Sequence, residues 1–277
     1  MWQRCRTRIK GIFISHAHSE QIGALKNILE EMPNIRVYGT KFTIDFIKRT
    51  LEDANVVANN LFEIPALFSM MPDLKDKTIL DLGCGFGGHC KRFVESGAKK
   101  VIGIDISEKM LEIAKQENSD SKITYINMPM ENISQLNEKF DVVVSSLAFH
   151  YVEDFSGVVK NIFDMLNENG TFIFSQENPL CTCFSGGNRW TKDENGNKLY
   201  INLSNYGIEG ERESSWFVDN VKKYHRTFST IINTLIETGF KIEKMIEPLP
   251  TEDLLKKFPE YKDLFHKPDF LLIKVSK

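Results

Sequence analysis

No apolar run in the chain approaches the roughly 18 to 20 residues of a membrane-spanning helix. The opening stretch MWQRCRTRIK has no apolar core of the kind a secretory signal carries. Paired cysteines are also lacking. The five present, Cys5, Cys84, Cys90, Cys181 and Cys183, are odd in number and without the doublet spacing of a zinc site or the pattern of a disulfide framework. Reduced thiols, a cytoplasmic setting and no metal site are expected. Excess positive charge is absent too: 35 Lys and Arg face 38 Asp and Glu, a net charge of -3. Such a balance lacks the field that draws a protein to nucleic acid, so neither a nucleic acid nor a membrane partner is expected. What remains is a chain of 277 residues, 42% hydrophobic and 26% charged, long enough for one large core or a domain with an appendage.

The amino-terminal stretch reads as strand GIFIS, turn HAHSE, a helix with Ile22, Leu25, Ile28, Leu29 and Met32 on one face, strand IRVYG and a second helix near residues 43–51. About fifty residues cannot cover both faces of a parallel sheet, so this segment is not a complete α/β domain. A helix is predicted over about 61–71. Apolar strand runs then recur at 78–82, 100–104, 123–126, 141–144, 171–174, 241–245 and 270–275, with helical patterns between most of them. That alternation predicts a mostly parallel, doubly wound sheet. Residues 178–220, rich in Gly, Asn and aromatics, break the rhythm and read as a lid or binding loop.

In TILDLGCGFGGHC, four glycines, Gly83, Gly85, Gly87 and Gly88, follow a strand. Such a turn at the first strand lets a ligand approach the backbone closely. Its letters fit GxGxxG, which admits a dinucleotide. Against that, Asp81 sits two residues before Gly83, where its charge opposes a pyrophosphate and favours a ligand with ammonium and sulfonium groups. Asp105, in VIGIDIS, lies about twenty residues on, the spacing at which a carboxylate reaches ribose hydroxyls, and Ile106 beside it offers adenine an apolar face.

These segments resemble the class I S-adenosylmethionine-dependent methyltransferases from about residue 54 to 277. ILDLGCGFG is similar to the first motif of that family, VIGIDISEKMLEIAK to the second, ITYINMPMENI to its adenine-contacting segment and FDVVVSSLAFHYV to its fourth strand and following loop. The resemblance implies a Rossmann-like seven-stranded α/β sheet, mostly parallel with an antiparallel last strand, carrying a short α/β amino-terminal appendage. It implies S-adenosylmethionine as cofactor, with Asp81, Gly83, Gly85 and Gly87 around the methionine end and Asp105 on the ribose. Ile106 and Met130 would flank adenine with Glu131 nearby, and Ser145 or Ser146 would offer backbone oxygen to the amino group. Pro129 stands where many relatives carry an acidic residue.

Methyl transfer from a sulfonium is an in-line displacement, so the protein has to position the acceptor and, where the acceptor is protonated, supply a base. Candidates lie beyond the strand ends: His150 and Tyr151 after the fourth strand, Glu177 after the fifth, and His225 and Arg226 introducing a helix, under a cover of Trp216 and Phe217. The turn at Glu177 resembles an EHP-like turn in which Asn178 replaces histidine. Lys222, Lys223 and Arg226 together also read as a solvated helix start. The acceptor is expected to be a small molecule. A nicotinamide-dependent oxidoreductase using Gly83, Gly85, Gly88 and Asp105 is the alternative.

Residues 1–53 resemble a truncated slice of the metallo-β-lactamase fold of ribonuclease J. His16, His18, Glu20 and Gln21 stand where that family has HxHxDH. Glutamine is a poor zinc ligand, so a metal-dependent nuclease lacks its donor set and the segment reads as a non-functional remnant.

Overall fold

The computed structural model describes residues 11–13, 36–38, 58–214 and 221–277. The chain divides into two compact units, Met1–Leu61 and Phe62–Lys277. In the first, strands β1 (Gly11–Phe13) and β2 (Arg36–Tyr38) pair in parallel. The helices expected there, and His16, His18, Glu20 and Gln21, lie outside the described residues, as do Trp216 and Phe217.

The second unit is built on seven strands: β3 (Thr78–Leu82), β4 (Lys100–Asp105), β5 (Ile123–Asn127), β6 (Phe140–Ser145), β7 (Leu166–Glu177), β12 (Lys241–Ile246) and β13 (Phe270–Ser276). Their order across the sheet is β12-β13-β7-β6-β3-β4-β5. β13 runs antiparallel to both β7 and β12, and the remaining pairings are parallel. All seven expected runs are strands. Because both faces of the sheet are covered, central strands carry apolar residues on either side; Ile79, Leu80, Leu82, Val143 and Val144 are fully buried.

The crossover helices α2 (Gly88–Glu95), α3 (Glu108–Glu117) and α4 (Phe155–Met165) follow β3, β4 and β6. Ser107 and Asp154 cap α3 and α4 by accepting backbone N–H bonds from Met110 and Gly157. Against α4 lies a ring cluster in which Phe149 meets Phe155, Phe172 and Phe174 at centroid distances of 5.7, 5.4 and 5.0 Å. Ahead of the sheet, the helix predicted over 61–71 is shorter: α1 covers Ile64–Ser69 and is preceded by one π-helical turn, Asn59–Glu63. Pro65 has no N–H to donate and its ring strikes the carbonyl four residues back in a regular turn, which the wider turn avoids.

The insertion is not a bare loop. Short helix α5 (Pro179–Thr182), the antiparallel pair β8 (Trp190–Lys192) and β9 (Lys198–Ile201), and β10 (Gly210–Ser214) occupy it, and it extends past residue 220 because β10 pairs with β11 (Val221–His225). α6 (Phe228–Thr238) and α7 (Glu252–Lys257) complete the unit. Trp190 packs edge-on to His266 at 5.8 Å, and Lys198 bridges to Asp263, so the first hairpin rests on the segment before β13. No helix among the described residues is long and apolar enough to cross a membrane.

Candidate active site

The carboxyl ends of β3 and β4 carry a turn held by backbone. Gly83, Gly85 and Gly87 adopt φ of +71°, +54° and +81°, in the left-handed region that side chains disfavour. At Gly87 a Cβ would stand 2.2 Å from the Tyr125 hydroxyl, which itself donates to the Asn118 carbonyl. At Gly85 a Cβ would meet nothing within 4 Å, so the turn opens onto free space. Asp105 looks into that space. Its Oδ2 accepts from Gly85 N–H at 2.9 Å and its Oδ1 from Ser107 N–H at 2.8 Å, which fixes the carboxylate and leaves lone pairs on both oxygens. Ile106 beside it is 75% exposed, an apolar face without a cover. Met130 reaches toward Gly83, where its Cε would lie 2.9 Å from a Cβ, while Glu131 is exposed to solvent.

Asp81 differs from the expectation of a charged floor. It is buried, accepts from the Cys90 thiol at 3.2 Å, and its pKa is pushed up to about 7, first by burial and then by the neighbouring Asp105, against the lowering effect of that thiol. Ser145 is buried and donates to the Leu82 carbonyl at 2.8 Å, which ties β6 to β3 beside the glycine turn. Ser146 donates to Glu63 Oε1 at 2.9 Å.

A second group gathers at the ends of β6 and β7. His150 is buried, and its Nδ1 accepts from the Glu177 N–H at 3.3 Å, so its proton resides on Nε2, 4.0 Å from Glu177 Oε1. Burial holds its pKa at about 4, and the ring is neutral near pH 7. Glu177 feels burial upward, yet Lys223 and Lys267, with the Nε2–H dipole of the neutral His150, outweigh that and hold its carboxyl below the usual range. Lys223 donates to it at 2.5 Å with only 9% of its surface exposed. Burial raises the Tyr151 phenol, and its ring lies 4.1 Å from that of His150.

Lys223 shows where the sequence reading needs correction. Residues 221–225 are a strand, not a solvated helix start, and its alternation turns Lys223 and His225 inward while Lys222 faces solvent. The following helix starts only at Phe228, capped by Thr227. His225 and Arg226 are brought near the group but not into it. His225 accepts from the Thr182 hydroxyl at 2.7 Å on Nδ1 and donates from Nε2 to the Tyr206 carbonyl at 2.9 Å, so both nitrogens are engaged. Arg226 donates to the carbonyls of Val152 and Glu153 and lies 5.1 Å from the Phe155 ring. Asn178 caps α5 through Leu180 N–H and donates to Glu247 at 2.6 Å.

Sequence reasoning passed over Lys223 and Glu63. For Lys223 the period-two pattern of VKKYH was the available signal; for Glu63 there was none.

Similarity to known proteins covers the sheet and the glycine turn. The family profile described as a methyltransferase domain matches residues 80–174. An uncharacterized protein of Haemophilus influenzae is 44% identical over 225 residues, 79% of this chain and 88% of that protein. The crystal structure of an S-adenosylmethionine-dependent methyltransferase from Mesorhizobium loti superposes with a TM-score of 0.71 at 36% identity, covering 78% of this chain and 97% of that one. A Listeria monocytogenes structure assigned to the same class gives a TM-score of 0.71 at 42% identity, over 78% and 96% of the two chains.

Proposed function

Because the chain belongs to the class I S-adenosylmethionine-dependent methyltransferases, we propose that it transfers the methyl group to a small-molecule acceptor seated against Tyr151, Glu177 and Lys223. S-adenosylmethionine, when bound, supplies an electrophilic methyl on a sulfonium. The residues present suit that cofactor: the open turn at Gly85, the prefixed carboxylate of Asp105 and the uncovered side chain of Ile106 offer room, a diol acceptor and an apolar face. In this reading Asp105 holds the ribose, Ile106 and Met130 the adenine with Glu131 at its rim, and the backbone of Ser145 or Ser146 the amino group. The glycine turn above Asp81 takes the methionine end.

One observation carries the acceptor assignment: Tyr151, Glu177 and Lys223 converge at the ends of β6 and β7, beneath a strand supplied by the insertion. None of these groups is a ready base. Glu177 is ion-paired and held low, Tyr151 is held high, and His150 keeps its Nδ1 lone pair on a backbone N–H. Catalysis therefore rests on orientation, and the acceptor brings a nucleophile that needs no strong base. Glu177 and Lys223 hold the acceptor's polar atoms, His150 fixes Glu177, and His225 and Arg226 anchor the covering strand as positioning residues. The net charge of -3 gives no field that would draw a nucleic acid, which favours a small acceptor.

The test is to incubate the full chain with S-adenosylmethionine labelled in its methyl group and a cell extract separated into metabolite, protein and nucleic acid fractions. Label is expected in the metabolite fraction and lost in Lys223→Ala. Label in protein or nucleic acid alone would overturn the acceptor class.

A further inference from the structure

Glu63 has no role in the proposal above beyond accepting from Ser146, yet its carboxyl is completely buried at the carboxyl end of the sheet. The π-helical turn places it between β6 and β7, and single turns of that kind often mark functional positions. Oε1 accepts two hydroxyls, Ser146 Oγ at 2.9 Å and Ser175 Oγ at 2.5 Å. Oε2 is buried and has no hydrogen-bond partner among the described residues. Ser175 in turn accepts from Leu147 N–H at 2.9 Å, so the cradle is fixed to the loop after β6 and cannot swing to satisfy the second oxygen.

A buried acceptor without a donor costs about 1–3 kcal/mol, and such a group persists where something outside the chain completes it. The missing partner has a definable chemistry. Oε1 already holds two neutral donors, and the only side chains acting on this carboxyl are those two serines, with no cation beside it among the described residues. Burial lifts its pKa to about 7, a condition that a cationic donor would reverse.

We infer that Glu63 is a further cofactor-binding residue, its Oε2 accepting a hydrogen bond from the α-ammonium of bound S-adenosylmethionine. This rests on the placement of that amino group at the end of β6 in the proposal above. Ser146 joins the two: in that proposal its backbone serves the amino group, and its hydroxyl donates to Oε1. The ammonium carries three donors, so backbone oxygen from β6 and the Glu63 carboxylate can be served together.

Calorimetric titration of the full chain with S-adenosylhomocysteine, and with the same molecule lacking its α-amino group, decides the matter in a cycle with Glu63→Gln. Wild type is expected to bind the amino ligand more tightly. Glu63→Gln should weaken that ligand about tenfold and leave the deamino ligand unchanged. Equal weakening of both ligands would reveal a purely structural role, and weakening of neither would remove Glu63 from the site; either result overturns the inference. Asp105→Ala serves as the control that separates this from the cofactor assignment, since it should weaken both ligands alike. Should Glu63→Gln fail to fold, Glu63→Asp keeps the charge on a shorter arm. A loss confined to the amino ligand is expected there too, and an equal loss in both ligands would be fatal.

Discussion

The glycine-turn end, proposed for the cofactor, and the end of β6 and β7, proposed for the acceptor, are built differently. At the cofactor end, function lies in backbone: left-handed glycines, amide N–H groups and one carboxylate, with Gly85 and Asp105 only 20 residues apart. At the acceptor end, side chains from distant elements meet. Glu177 pairs with Lys223 across 46 residues and Thr182 with His225 across 43. The first end is one strand-turn-helix unit repeated beside another, a construction that can serve any adenosyl ligand. The second is assembled by an insertion and can be rebuilt without disturbing the first. One fold can thus keep a donor while changing acceptors.

Four changes would break or sharpen that contrast. The largest effect is expected at Gly87→Ala. A left-handed residue costs about 1–2 kcal/mol and crowding of the bound Tyr125 hydroxyl about 1–3 kcal/mol more, so denaturant unfolding should show a loss of about 2–5 kcal/mol. A loss below about 1 kcal/mol would mean the turn yields easily and is not the rigid half. Next, His225→Ala leaves a cavity and strips partners from Thr182 and the Tyr206 carbonyl, a cost of about 2–3 kcal/mol. Affinity for S-adenosylhomocysteine should stay intact while turnover falls. A parallel fall in cofactor affinity would show that the two ends are coupled.

Asp105→Ala comes third, weakening S-adenosylhomocysteine at least tenfold, about 1.4 kcal/mol, by removing a charge-assisted bond. Unchanged affinity in calorimetry would take Asp105 out of the site. The smallest effect concerns pH. Glu63 has its folded pKa raised from 4.5 to about 7, so the folded chain binds the extra proton in between. The contribution of this carboxyl to the stability of the ligand-free protein is therefore complete below about 4.5 and declines as pH rises to about 7. Asp81 contributes in the same sense. Glu63→Gln should make the decline shallower, and identical slopes in wild type and variant would contradict the raised pKa.

How legible each part was follows from the same contrast. The seven strands could be read because each carries a short apolar run bounded by turn residues. Their limits could not: β7 extends to Leu166–Glu177 around the apolar 171–174 because Ser175, Gln176 and Glu177 pair with Leu272, Leu271 and Phe270 of β13. That pairing carries Glu177 beyond the apolar run to the rim, where it meets Lys223. Asp105 was legible through its distance from the glycine turn. His225 was legible as an unusual residue but not in its use, since the carbonyl and hydroxyl that occupy its nitrogens come from Tyr206 and Thr182. Asp81 was found by position while its protonation was not, because burial, not sequence, sets its pKa.

By itself the sequence determined the sheet and the glycine turn, because alternating apolar runs and closely spaced glycines constrain the backbone within a few tens of residues, while the cofactor followed from the resemblance of its motifs to a known family. Only the tertiary structure decided which carboxyls lose water, which histidine nitrogens are free and which lysine turns inward. Those properties depend on the burial and hydrogen bonds that strands far apart in the chain impose when they pack.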